Sequence, residues 1–190
     1  MSVASHMGAS DVAAISPAEI IVRDDLAGLC SGDPACENVG LSMSCPPNVG
    51  GPAQFRAWQK QSLDALVVRI DIPSAVMFSE DRREVMQLLH EIVASVEKEA
   101  VRMGYAGSRG FAGGSCKKLF CGDQPDCRVL AEKGDCRHPD DARPSMSGFG
   151  IDVTRMMQAS GWPLKPAQPD DADDAESMTW VAGLVLISEQ

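Results

Sequence analysis

The sequence has no run of about 18 or more apolar residues, so no segment of it has the length of a membrane-spanning helix. It also has no charged n-region followed by an apolar h-region at its start, so no secretory leader is expected. Cations are scarce. Seventeen Lys and Arg stand against 27 Asp and Glu, a net charge of −10, which argues against nucleic acid or an anionic membrane as partner, since both need clustered Lys and Arg to displace counterions. A charged protein partner is expected to present a basic docking surface instead. Aromatic residues make up only 5% of the chain while Gly and Pro number 17 and 12, so much of it should be loop. GxGxxG after a strand, Walker A, HExxH and GxSxG are all missing. The chemistry must come from another residue type, and the residue that stands out is cysteine.

The 190 residues amount to about one domain, large enough to bury a core without staples. Residues 1–10, MSVASHMGAS, contain a Ser-His-Met step resembling a cloning scar, so the domain is expected to span 11–190, and His6 is given no role. Seven cysteines, an odd number where no leader is expected, do not suit a disulfide framework. They point to metal or redox chemistry in a cytoplasmic setting.

Ile15, Ile20, Ile21 and Val22 suggest a short strand before the acidic pair Asp24 and Asp25. A first cysteine loop, residues 30–52, is rich in Gly, Pro, Ser and Asn and follows neither a period of 2 nor one of 3.6, so its order is expected to come from a bound metal centre rather than from packing. LDALVVRIDI, 63–72, reads as a strand buried on both faces. Ser79 is the expected N-cap of a helix over about 80–103, with Val85, Leu88, Leu89, Ile92, Val93, Val96 and Ala100 on one face and Gly104 as its stop. Residues 105–114 return the chain towards the sheet, and a second cysteine loop occupies 113–147, with a short helix inside RVLAEKGD. Another helix is expected over 151–159 and a closing strand over 178–187; the Pro- and Asp-rich 162–177 reads as a solvated, mobile connection. The fold class is α/β or α+β, a small sheet with helices on it plus two cysteine-rich cluster-binding loops outside the sheet.

The second loop carries Cys116-x4-Cys121-x5-Cys127-x8-Cys136. Four thiolates are what a 4Fe-4S cluster takes. A structural zinc site also takes four, but it usually pairs them in C-x2-4-C knuckles, and only the first gap here falls in that range. The first loop carries Cys30-x5-Cys36-x8-Cys45 and repeats the last two gaps of the second. Each has Pro two residues before its second cysteine, as expected from internal duplication or from convergence on one wrapping geometry. In that alignment Asp25 takes the place of Cys116. One thiolate is therefore missing, and the fourth ligand of the first centre would be Asp25, water, a partner's residue or a substrate. His138, after Cys136 and Arg137, is expected to donate an imidazole N–H to a cluster sulfur. Lys117, Lys118, Arg128, Arg137 and Arg143 would offset the charge of the cluster, and His90 reads as a satisfied histidine of the long helix rather than a ligand.

The Cys30, Cys36, Cys45-Pro46-Pro47 segment occurs together with Gly114-Ser115-Cys116, Cys121, Cys127 and Cys136-Arg137-His138-Pro139, then Ala142-Arg143-Pro144-Ser145-Met146 and Gly150-Ile151-Asp152-Val153. From about Val22 to Ile187 this combination resembles the predicted metal-binding proteins of the DUF2284 family. The resemblance implies cysteine-bound metal, foremost iron–sulfur, in an oxygen-sensitive cytoplasmic protein of the kind found in anaerobic metabolism. It implies no known reaction.

The leading expectation is an iron–sulfur protein with one 4Fe-4S cluster on Cys116, Cys121, Cys127 and Cys136, and part of a second on Cys30, Cys36 and Cys45, serving electron transfer with a redox partner. The alternatives are an enzyme with an open iron at the three-cysteine centre and a zinc-stapled interaction module. The Cys30 group either binds its own cluster or meets a second chain across a homodimer.

Overall fold

Val68, Ile70 and Ile72 alternate with Ala65 and Val67, and the strand that carries them buries both sets. A computed structural model describes residues 2–162, 168, 171, 174 and 176–189. Among these, β1 (Asp11–Ile15), β2 (Asp64–Pro73), β3 (Arg109–Phe111) and β4 (Met178–Ile187) form one sheet in the order β1-β2-β4-β3, antiparallel throughout. The central pair is in register along its whole length, from Asp64 opposite Ile187 to Pro73 opposite Met178. This is an α+β layer, one of the two classes expected.

The helices are α1 (Ser2–His6), α2 (Asp24–Gly28), α3 (Gly51–Gln59), α4 (Ser74–Met77), α5 (Arg82–Arg102), α6 (Cys116–Phe120), α7 (Arg128–Ala131) and α8 (Val153–Ala159). One face of the sheet packs Val68, Ile70, Ile72, Val181, Val185 and Ile187 under Leu89, Ile92, Val93 and Val96 of α5. A Cβ on Gly183 would stand 2.4 Å from Val93 Cγ2, so glycine is what lets α5 lie close on β4. The helix ends as expected: Gly104 has φ +105°, and the N–H of Tyr105 bonds back to the carbonyl of Ala100 in a Schellman arrangement. The opposite face packs Ala65, Val67, Ala182, Leu184 and Leu186 against α3 and α8. There Phe111 meets Phe55 and Phe149 edge-on, with centroids 5.1 and 5.2 Å apart, and Phe55 and Phe149 are tilted at 6.0 Å.

Four expectations change. The first strand lies at Asp11–Ile15 and stops there, because Pro17 opens a 3-10 turn under a Ser16/Glu19 capping box; Val22 makes only an isolated bridge to Ile151. Residues 2–6, set aside above, are part of the fold, with Ala4 fully buried in the α5 cluster. Helix α5 begins at Arg82 with Asp81 at the N-cap position, since Ser79 Oγ instead accepts the N–H of Asp81 at 3.2 Å in a turn that precedes the helix. Helix α3 adds to the expected elements, and Pro52 in its first turn and the spacing of Phe55 and Trp58 are its signals. The connection expected over 162–177 falls largely outside the described residues. Among the described residues no helix is long and apolar enough to cross a membrane.

Candidate metal centre

Both cysteine segments lie at the N-terminal end of α5. The second leaves the sheet where β3 ends and returns at Pro144, whose carbonyl accepts the N–H of Ala112 at 3.0 Å. His90 of α5 pins both of its ends. The backbone N–H of Arg143 donates to His90 Nδ1 at 3.0 Å, so the ring proton sits on Nε2, which donates to the carbonyl of Gly113 at 2.8 Å. Burial, with the nearby Arg143 cation adding to it, lowers the pKa of His90 to about 4, and the ring stays neutral.

Arg143 is itself buried. Its Nε donates to Glu97 at 2.8 Å and its NH1 to the carbonyls of Ala142 and Pro139, while the N–H of Gly110 donates to the same Glu97 oxygen at 2.5 Å. Lys117 Nζ donates to the carbonyls of Cys121 and Gln124 and so closes the turn between two cysteines. Lys118 pairs with Glu37 of the first segment. Arg143 and Lys117, two of the cations expected to surround a cluster, thus brace the backbone that would wrap one, and Lys118 ties the two segments through a side chain.

All seven cysteines are free thiols. Cys116 opens α6 and Cys127 sits at the N-cap position of α7, so part of the second segment is helical. Burial pushes the Cys121 thiol up in pKa; it feels Cys136 and Cys127 as like charges, with Arg137 and Lys117 pulling the other way. Burial likewise pushes Cys30 up, with Cys36 and Cys45 adding to it. Cys116 is raised chiefly by burial, opposed by hydrogen bonds from Ser44 and Ser42, and it feels both Cys136 and Cys45. The two groups adjoin, with Cys116 close enough to both Cys136 and Cys45 to feel their charge.

The junction is Ser44. Its Oγ contacts Cys45 Sγ at 3.7 Å and accepts the N–H of Cys116 at 3.3 Å, and its carbonyl accepts the N–H of Ser145 at 2.9 Å. Other donors lean on sulfur: the Asn38 amide towards Cys36 Sγ at 3.7 Å and the His138 backbone N–H towards Cys136 Sγ at 3.4 Å. Donors of this kind stabilise thiolates and raise the potential of a cluster. For His138 the donor is the backbone, while its ring packs on Phe120 at 5.4 Å.

Cys30, Cys36 and Cys45 border one half-open cavity of about 410 Å³, lined also by Gly114, Ser115, Ser145, Pro46 and Ile151, among others. Asp25 does not border it. Its carboxylate is held by Arg23 at 2.5 Å, which keeps it below the usual carboxylate range, on the exposed side of α2. Asp25, one of the alternatives for the fourth ligand of the first centre, is thus paired with a neighbouring guanidinium on the exposed side of α2.

The sequence profile of the predicted metal-binding proteins named DUF2284 matches residues 13–187. The chain belongs to the DUF2284 family. No curated protein and no solved structure matches it. Among the described residues no three His, Cys, Asp or Glu side chains are already gathered as the ligands of a single ion. The donor set nonetheless fits what a DUF2284 member is predicted to bind: two adjoining thiol groups, sulfur-directed hydrogen bonds and a cavity bordered by three of the thiols. Serines 42 and 44, Asn38 and the His90 clamp were not legible as site residues, since their roles arise from contacts between distant segments.

Proposed function

We propose that this DUF2284 protein is an electron-transfer protein with two neighbouring iron–sulfur centres. Cys116, Cys121, Cys127 and Cys136 hold a 4Fe-4S cluster, and Cys30, Cys36 and Cys45 hold the second centre. The observation that carries this reading is the meeting of the two thiol groups at Ser44, since adjoining centres can hand an electron from one to the other. A bound cluster supplies reversible one-electron chemistry. The chain supplies the rest: Ser42, Ser44, Asn38 and the His138 N–H tune the sulfurs, and the His90 and Arg143 clamps hold the wrapping segment in place. With a net charge of −10, its redox partner docks through a basic surface, at a rate that falls as salt is raised.

The test is iron, labile sulfide and zinc content of anaerobically purified protein, with EPR before and after dithionite. About eight irons and eight sulfides per chain support two cubanes, about four of each confine the cluster to one group, and zinc without sulfide overturns the redox reading. An association rate that is flat with salt removes the basic partner.

The cavity beside Cys30, Cys36 and Cys45 favours one further reading, an iron–sulfur enzyme whose open iron takes a small substrate. That reading requires small added ligands to perturb the EPR signal of the first centre in the protein as isolated.

A further inference from the structure

The cavity bordered by three cysteines has a polar atom that nothing in the fold uses. Ser115 borders it, is 3% exposed, and its Oγ is sealed from solvent without a hydrogen-bond partner among the described residues. Native proteins rarely leave a buried hydroxyl in that state unless a bound group satisfies it. The position makes this more pointed. Ser115 occupies the N-cap of α6, where a serine normally spends its oxygen on a helix N–H, and it makes no such bond.

One other polar atom on this cavity is in the same condition, Asn38 Oδ1. A neutral amide oxygen is a poor match for three thiolate ligands, and the amide of Asn38 already leans on Cys36 Sγ. A hydroxyl can bind as an anionic alkoxide. Asp25, which spacing put forward for the fourth position, is held outside by Arg23.

Its place in the chain completes the case. Ser115 borders the cavity that Cys30, Cys36 and Cys45 line, and it directly precedes Cys116 of the second thiol group.

We propose that Ser115 is the fourth ligand of the centre held by Cys30, Cys36 and Cys45. It binds through Oγ as the alkoxide, and its proton passes to solvent. The inference rests on the iron–sulfur reading. It makes both centres complete and joins their ligand sets through the single peptide bond between Ser115 and Cys116, which suits electron relay rather than an open substrate site.

The experiment compares wild type, Ser115→Ala and Ser115→Cys as full-length chains reconstituted anaerobically with iron and sulfide, by metal content, Mössbauer and EPR. Wild type is expected to hold about eight irons and to ignore added cyanide. Ser115→Ala is expected to lose one iron of the eight, to show the EPR signal of an oxidised three-iron cluster, and to keep the signal of the four-cysteine centre unchanged. Ser115→Cys, close to serine in size, is expected to keep all its iron while the Mössbauer parameters of one iron move from oxygen-ligated to sulfur-ligated values. If Ser115→Ala does not fold, the Ser115→Cys spectrum decides alone.

An eight-iron wild type whose spectra are unchanged in Ser115→Ala, or in Ser115→Cys, overturns the ligand and leaves the iron–sulfur reading standing. So does a cyanide-sensitive wild type. A wild type with a single cluster on the second group overturns the ligand and the two-centre reading together, and zinc without sulfide overturns every redox claim.

Discussion

The half of the molecule built on the sheet and the half built on the cysteines are held together by different forces. Between β2, β4 and α5 the contacts are aliphatic, buried and indifferent to ionisation. Around the cysteines they are polar ties from a few side chains to distant backbone: His90 to Gly113 and Arg143, Lys117 to Cys121 and Gln124, Ser44 to Cys116. A domain built this way is expected to have a core that folds without bound metal and a site whose final order depends on it.

The largest expected effect belongs to the apolar half. Leu89→Ala opens a cavity under Gly183 and is expected to cost about 2–5 kcal/mol in urea unfolding, by the same amount in metal-loaded and metal-stripped protein. Hydrogen exchange sharpens the contrast: stripping the metal should expose amides of 30–52 and 113–147 while those of β2 and β4 stay protected. Equal deprotection of both halves would break the comparison.

Arg143 tests the polar half. Its guanidinium is buried against Glu97, so Arg143→Met removes one partner of a buried pair and is expected to cost about 3 kcal/mol. Part of that loss should appear as weaker metal retention, since the same residue ties the carbonyls of Pro139 and Ala142 at the end of the second segment. Glu97→Gln, Arg143→Met together should recover part of the stability, as measured by a double-mutant cycle.

His90 gives the next effect, and its sign follows from its buried neutrality. Its pKa falls from 6.5 to about 4 on folding, so at pH above 6.5 both states are neutral and nothing is lost. Between pH 6.5 and 4 the unfolded chain takes up a proton that the folded chain refuses, and stability falls by an amount on the order of 3 kcal/mol. Wild type minus His90→Gln, followed by urea unfolding across that window, isolates this loss from carboxylate titration. A difference that does not change with pH would show that the ring is not sealed.

The two halves were also unequally legible in the sequence. β2, β4, α5 and α8 follow from periodicity, and Gly104 from its role as a stop, because the signals lie within each segment. That the cysteines fall in two runs follows from their positions in the chain. The ties that place them do not: nothing local marks His90 as the clamp of a segment that begins at Gly113, or Ser44 as the joint between two thiol groups. Asp25 shows the converse case. Alignment of the two cysteine segments offered it as one of several fourth ligands, and its carboxylate is held by Arg23, two residues away. Short-range competition for a charge is invisible to a pattern of spacings.

The smallest expected effect probes the seam between the cysteine segments from its solvent side. Lys118 pairs with Glu37, yet both side chains are more than half exposed, so Coulomb attraction there is screened by water and salt. Glu37→Gln is therefore expected to change global stability by less than about 1 kcal/mol, and by less still in high salt. Ser44→Ala cuts the buried side of the same seam, losing the acceptor for the Cys116 N–H and the contact to Cys45 Sγ. It should shift the EPR or the potential of both centres while Glu37→Gln shifts neither. Were the exposed pair the more effective of the two, the adjoining of the centres would rest on surface charge rather than on the serine between them.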